Sequence, residues 1–237
     1  MSKHALLTIA ALAVTLAGCG SSKDATTTAP MTISSSTSTR STPTAPSPIS
    51  VTVFRVRGGR LYVDAERVQG TRAVAAASLA ALGLSSPVSI ADGTAQVDRT
   101  DATPEEVAEI VYTLTQYPSV HRVDVAGRTG LTRADIAAFV PPILVERPAA
   151  GATTGETIHV SGSASVFEAT VVLELRQDGK LVQKKTVTAA EGAPGRGPFT
   201  GTLVAPEAGH YVVAAYSPSA VDGSPQHEQD VPVTVTP

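Results

Sequence analysis

The stretch ATVVLELRQDGKLVQKKTVTA, residues 169–189, decides how this chain folds. Val171, Leu173 and Leu175 alternate onto one face, the period of a half-buried strand. Asp178-Gly179 follows, a dipeptide that accepts positive φ at low cost and closes two-residue hairpins. Leu181 to Ala189 then returns as the partner strand. Further short strands flank this hairpin: Ile143 to Glu146, Thr157 to Ser161, Phe199 to Val204, His210 to Tyr216 and Val231 to Val235. About seven strands at this spacing over residues 141–237 predict an immunoglobulin-like β-sandwich. A single Cys and the absence of Trp mean that the sandwich lacks the disulfide and tryptophan pin of antibody domains.

Upstream of Pro141-Pro142 the pattern changes. Ile49 to Val56 and Leu61 to Val68 flank Gly58-Gly59 and predict a hairpin. Thr71 to Leu82 is rich in Ala and Leu and predicts a helix. Val88 to Ile90 and Thr94 to Val97 read as short strands around Asp92-Gly93. Thr103-Pro104-Glu105-Glu106 supplies an N-cap, a proline at the first helical position and a capping-box glutamate. Val107, Ile110, Val111 and Leu114 then form one helical face, which should end near Tyr117-Pro118. Val120, Val123 and Val125 suggest a strand ending at Gly127, and Thr132 caps a short helix running to Val140. The expected packing is one small sheet with helices on one face. The fold class is therefore α+β: a small α/β domain over 49–140, then an all-β sandwich over 141–237.

The amino-terminal end reads differently again. Lys3 and His4 precede an uncharged run from Ala5 to Ala17, too short for a helix that crosses a hydrocarbon core, which takes about 20 residues. It fits a signal peptide over residues 1–18. Leu16-Ala17-Gly18-Cys19 resembles a bacterial lipobox, so Cys19 is expected to carry lipid (palmitate among the acyl groups) and to hold the chain on the outer face of the cytoplasmic membrane, in the cell envelope. Stable anchoring takes at least two chains, each buried methylene adding about 0.8 kcal/mol. From Gly20 to Pro48, 20 of 29 residues are Ser, Thr or Pro, which suits a disordered tether over 19–48. Its root-mean-square span would be on the order of 30 Å.

Charge excludes one class of partner. Residues 51–140 hold nine basic and ten acidic groups, and residues 141–237 hold six and ten. Neither half is basic, so nucleic acid is not expected as a partner. Nine aromatic residues in the whole chain leave the cores to aliphatic side chains.

Two families are brought to mind by particular residues. Gly93-Thr94-Ala95-Gln96-Val97-Asp98 and the segment from Val111 through Tyr112-Thr113-Leu114-Thr115-Gln116 to Val120 resemble the GerM-type (GerMN) domain of spore germination and sporulation. Val160-Ser161-Gly162-Ser163-Ala164-Ser165-Val166-Phe167-Glu168-Ala169-Thr170, with Tyr216 to Ser224 further on, resembles the immunoglobulin-like domain of bacterial spore germination. The loop of the GerM-type pattern between its first helix and next strand is shortened here to Gly83 to Pro87, so no role of that loop carries over. The resemblance implies a non-enzymatic envelope module for interaction or assembly, with an envelope protein as partner. The rival is a module that binds peptidoglycan or another cell-wall glycan. Scarce aromatics count against it, because sugar sites stack on exposed rings.

Catalysis has little support. No G-x-S-x-G elbow occurs and no nucleophile is paired with a base. His159 and His210 occupy strand positions and read as surface histidines. His227-Glu228-Gln229-Asp230, on a loop before an edge strand, reads as solvated charge, not as a metal site. Glu105 and Glu106 suit a helix N-terminus. A hydrolase is the third and weakest reading, and no catalytic residue, metal or cofactor is expected. Contact loops remain. Phe167 either fills the sandwich core, with Glu168 accepting backbone N–H bonds, or the pair forms a contact surface. Asp222 and Gly223 are turn chemistry first and a binding loop second.

Overall fold

The computed structural model describes residues 46–237. The expected signal peptide, Cys19 and residues 19–45 of the expected tether lie outside the described residues.

The chain is mostly β-sheet. It opens with a hairpin of β1 (Ile49–Arg57) and β2 (Arg60–Val68), closed by Gly58 and Gly59 at φ +57° and +74°. Helix α1 (Val74–Ala81) leads to β3 (Val88–Ala91) and β4 (Thr94–Val97). Helix α2 (Pro104–Leu114) crosses over to β5 (Arg122–Val125), which lies parallel to β4, and β6 (Arg128–Leu131) follows. The Thr103 hydroxyl accepts from the Glu106 N–H at 3.2 Å and the Glu106 carboxylate accepts from the Thr103 N–H at 2.9 Å, so α2 begins on a complete capping box. A 3-10 helix spans Arg133–Phe139.

This first lobe departs from the single sheet expected of it. β1 and β2 pair only with each other, while β3-β4-β5-β6 form a separate four-stranded sheet. The free edge of β1 is taken by side chains of α2 and of Gln116 just past its end. Glu109 accepts from the Val56 N–H at 2.7 Å, Thr113 from the Phe54 N–H at 3.0 Å, and the Gln116 amide donates to the Thr52 carbonyl at 2.8 Å. Alternate residues of a strand expose their edge groups on the same side, and helix positions 109, 113 and 116 share one face. The helix thus occupies the edge that another strand would have used. Burial pushes the Glu109 carboxyl up, and the Val56 N–H pulls it partly back. Two smaller corrections concern Val120, which turns back onto the Tyr117 carbonyl at 2.9 Å before β5 begins, and β6, which no apolar alternation announced.

The second lobe is a two-sheet sandwich. Its strands are β7 (Ile143–Arg147), β8 (Ala152–Thr154), β9 (Thr157–Ala164), β10 (Thr170–Gln177), β11 (Lys180–Thr188), β12 (Gly197–Val204), β13 (Gly209–Pro218) and β14 (Pro225–Val235). One sheet has the order β11-β10-β13-β14-β8 and the other β12-β9-β7. Val171, Leu173 and Leu175 of β10 meet Ile158, Val160, Phe199 and Leu203 in the core between them. Gly162 in β9 is required by close approach: a Cβ there would lie 2.0 Å from the Leu144 carbonyl oxygen and 2.9 Å from the Phe199 ring. β14 begins at Pro225, so His227 to Asp230 lie within a strand and not on a loop before one, and that strand sits between β13 and β8, not at an edge.

β7 belongs to both lobes. Ile143 and Val145 pack into the sandwich core, whereas Leu144 packs into the core of the first lobe with Phe54, Tyr112 and Ile136. Glu146, the next residue on the Leu144 face, holds Arg133 through two bonds of 2.9 and 3.0 Å. The Arg133 guanidinium lies 4.7 Å from the Tyr112 ring centroid and 5.6 Å from that of Phe54. Beyond β7, Ala150 exchanges two 2.8 Å backbone bonds with β2, through Val63 and Ala65, and Gly151 donates to the Pro232 carbonyl of β14.

The outer face of the five-stranded sheet carries a charge network. Glu174 accepts from the Tyr216 hydroxyl at 2.8 Å and from Arg176 at 2.6 and 2.8 Å, and lies 3.2 Å from the Lys184 ammonium. Burial alone would raise the Glu174 carboxyl, but hydrogen bonds from Tyr216, Arg176 and Lys184 outweigh it and hold the group below its ordinary range.

Two outcomes are expected. Thr113→Val leaves the buried Phe54 N–H without an acceptor and should lower stability by about 1–3 kcal/mol, read from urea unfolding midpoints. Because Glu174 titrates lower when folded, its ionised form stabilises the fold above the ordinary glutamate range. That contribution is lost as pH falls through about 4.3 and on to the lowered folded value. Thermal unfolding of Glu174→Gln between neutral and acid pH should therefore show a shallower acid decline than the unsubstituted chain.

Candidate functional site

The antiparallel register of the sandwich decides which loops are neighbours. Val172 pairs with Tyr216, and Thr170 with Thr188. Following β10 backward and β13 and β11 forward, the chain leaves the sheet at one end. The loop before β10, the loop after β11 and the loop after β13 therefore cluster there. A strand framework holding adjacent loops at one end is a common way to build a contact surface.

The loop before β10 contains a short 3-10 turn, Phe167–Ala169. The Phe167 side chain is 70% exposed, so the alternative in which it fills the core is overturned; Val166 and Ala169 take the buried positions instead. The backbone explains the outward placement. Glu168 and Ala169 both have positive φ, +54° and +55°, which turns the chain between two buried anchors and leaves Phe167 and Glu168 on the outside. The loop is fixed from behind: Ala169 accepts from the Ala189 N–H at 2.8 Å, and Val166 accepts from Ala169 and from Ala193 at 3.2 and 2.9 Å. The Glu168 carboxylate takes no backbone N–H in this loop; it is exposed, and only its carbonyl accepts, from the Thr170 hydroxyl at 3.3 Å.

The loop between β13 and β14 is built from its own polar groups. Asp222 accepts from the Ser224 N–H at 3.0 Å and from its hydroxyl at 2.7 Å, and the Ser219 hydroxyl accepts from the Val221 N–H at 3.2 Å. Ser219 and Ser224 exchange the chain direction through a 2.8 Å backbone bond, and Gly223 takes φ +71°. The Ser224 hydroxyl and N–H hold the Asp222 carboxyl below its ordinary range, with Ser219 adding to the effect. Asp222 and Gly223 are thus spent on shaping the turn. The group that this turn presents is Val221, 95% exposed, which sequence reasoning did not single out. Its signal was an isolated branched aliphatic in a run of Ser, Ala, Asp and Gly.

Phe167 and Val221 are the two most exposed large hydrophobic side chains among the described residues. They stand on adjacent loops that are fixed by their hydrogen bonds. Three histidines do not join them: His159 and His210 lie on strands, near Thr202 and Thr234 hydroxyls at 3.5 and 3.3 Å, and His121 packs against Gly93 in the first lobe; His227 is exposed near the start of β14, next to the Asp222 turn. Among the described residues, no group of three or more His, Cys, Asp or Glu side chains is arranged to hold a metal ion, and no helix is long and apolar enough to cross a membrane. Cys19 lies outside the described residues.

No curated protein matches the chain. A family model does match part of it: residues 142–224, running from the start of the shared strand β7 to the end of the Asp222 turn, are similar to the immunoglobulin-like domain of bacterial spore germination, the Gmad2 family.

Proposed function

We propose that this protein is a cell-envelope lipoprotein that works by non-catalytic protein–protein contact, with the loop end of its sandwich as the contact surface. The observation that carries the reading is the pair Phe167 and Val221. Two large apolar side chains stand in solvent on rigid neighbouring loops of a domain similar to one used in spore germination. Exposed aromatic and aliphatic anchors on a preorganised frame are what a protein interface buries at its centre.

The remaining parts of the reading rest on sequence. The Leu16-Ala17-Gly18-Cys19 segment supports cleavage before Cys19 and lipid on its thiol, on the outer face of the cytoplasmic membrane. The Ser/Thr/Pro-rich tether would let the folded lobes search for an envelope partner. The first lobe is read as GerM-type, an assembly domain. Its resemblance runs through Tyr112 to Gln116, and the hydrogen bonds of Thr113 and Gln116 to β1 give those residue types a physical reason.

A photo-crosslinking amino acid placed at 167 or 221 in living cells should yield discrete adducts with an envelope protein, while the same group at exposed Thr153 on β8 should not. Cosedimentation with cell wall stripped of protein, undiminished by Phe167→Ser with Val221→Ser, would instead support the glycan-binding rival. Separately, Cys19→Ala should move the chain from the membrane fraction to the soluble fraction and remove the acyl mass from its amino-terminal peptide.

A further inference from the structure

A cleft of about 940 Å³ opens between the 3-10 helix of the first lobe and the β9–β12 face of the second. Three guanidinium groups line it, those of Arg60, Arg133 and Arg196, against one carboxylate, Glu146. That carboxylate is already engaged by Arg133, whose Nη1 donates to both of its oxygens. No ion pair among the described residues includes Arg60 or Arg196. The cleft is therefore cationic on a chain whose formal net charge is −3.

Of the two unpaired guanidiniums, that of Arg196 is held by three acceptors, whereas that of Arg60 is exposed. Arg196 donates to the Pro141 carbonyl at 2.6 Å and to the Ser163 carbonyl and hydroxyl, both at 3.1 Å. Arg60 reaches the neighbouring carbonyl of Val140 at 3.5 Å. Successive carbonyls belong to residues whose Cα atoms are about 3.8 Å apart. Both side chains thus reach carbonyls of consecutive residues at the lobe junction, which satisfy part of their donor sets and leave further N–H groups free. Burial pushes the Arg196 guanidinium down, and Tyr112 and Glu146 only partly offset it.

We propose that this cleft binds a carboxylate carried on an apolar body, the free carboxyl end of a short peptide segment, through Arg60 and Arg196. The guanidinium fork matches a carboxylate by two parallel hydrogen bonds. Ala137, Val140, Pro142 and Pro198 give the cleft apolar walls for the side chains behind that carboxylate. A singly charged carboxylate also sheds its water at lower cost than a doubly charged phosphate, which such walls disfavour. The volume lies within the range of about 300–1,000 Å³ usual for small-ligand sites. Ser165 of the Phe167 loop lines the cleft, but neither Phe167 nor Val221 does, and the site does not depend on their role.

The test is titration calorimetry on the full chain with N-acetyl-Ala-Leu as the free acid, as its carboxy-terminal amide, and with inorganic phosphate as a third titrant. The free acid should bind, the amide should bind about tenfold more weakly or not at all, and phosphate should compete poorly. Arg196→Gln removes the better-held cation but also its bonds to Pro141 and Ser163. Exposed Arg60→Gln supplies a variant with little structural burden, and it should weaken the free acid about tenfold with the unfolding midpoint unchanged. Equal binding of acid and amide, unchanged affinity in Arg60→Gln, tighter binding of phosphate than of the peptide acid, or no binding of the acid would each overturn the proposal.

Discussion

One strand has both of its faces buried, and the rest of the architecture depends on it. Ile143 and Val145 of β7 complete the sandwich core, and Leu144 between them completes the core of the first lobe. All three side chains are essentially inaccessible to water. A strand flanked on both sides reads as a continuous apolar run and not as an alternation. Each such side chain contributes about 1.5–3 kcal/mol by burial, so neither lobe can release β7 without exposing the apolar surface of the other. The Arg133–Glu146 pair, stacked on Tyr112, extends the same contact beyond Leu144. The Ala150 bonds to β2 extend it at the far end. The junction at Pro141-Pro142 is accordingly a covalent bend inside a packed interface.

The first lobe solves an edge problem with a helix. β1 has a partner on one side only, and its other side would present open N–H and C=O groups to any passing strand. Glu109 and Thr113 of α2, with Gln116 just past its end, take three of those groups. Polar residues in the middle of a mostly apolar helix look like a cost in helix propensity and apolar burial. Here they are the means by which α2 and the hairpin hold register. The same arrangement separates the hairpin from the four-stranded sheet and sets where Tyr112, and hence Arg133, must lie.

Much of this was legible in the chain, for local reasons. Asp178-Gly179 and Gly58-Gly59 fix their hairpins through positive φ, and the Thr103–Glu106 capping box fixes the start of α2, whatever the tertiary context. The immunoglobulin-like character of the second half followed from strand spacing and from the Phe167-Glu168-Ala169-Thr170 signature, and the family match over 142–224 agrees with it. What escaped was long-range. β8 and β6 are short strands with no alternation of their own, formed because β14 and β5 offer them an edge. The edge bonds to β1 join residues 53 to 64 positions apart, beyond any window of periodicity. Phe167 was ambiguous because an aromatic in a signature has no periodicity to say which way it points. Two positive-φ residues after it, which propensity does not announce, turn it outward. Arg196 is legible only as a half-buried cation once β12 has brought it under the junction.

The most direct test of the shared strand is native-state hydrogen exchange on the folded chain and on Leu144→Ala. Removal of the Leu144 side chain should cost about 2–5 kcal/mol by the cavity it leaves. If β7 binds the two cores into one cooperative unit, the slowest amides of α2 and those of β10 and β13 will lose protection together and by the same free energy. Loss confined to α2, with β10 and β13 exchanging as before, would show that the lobes open independently and would contradict the account.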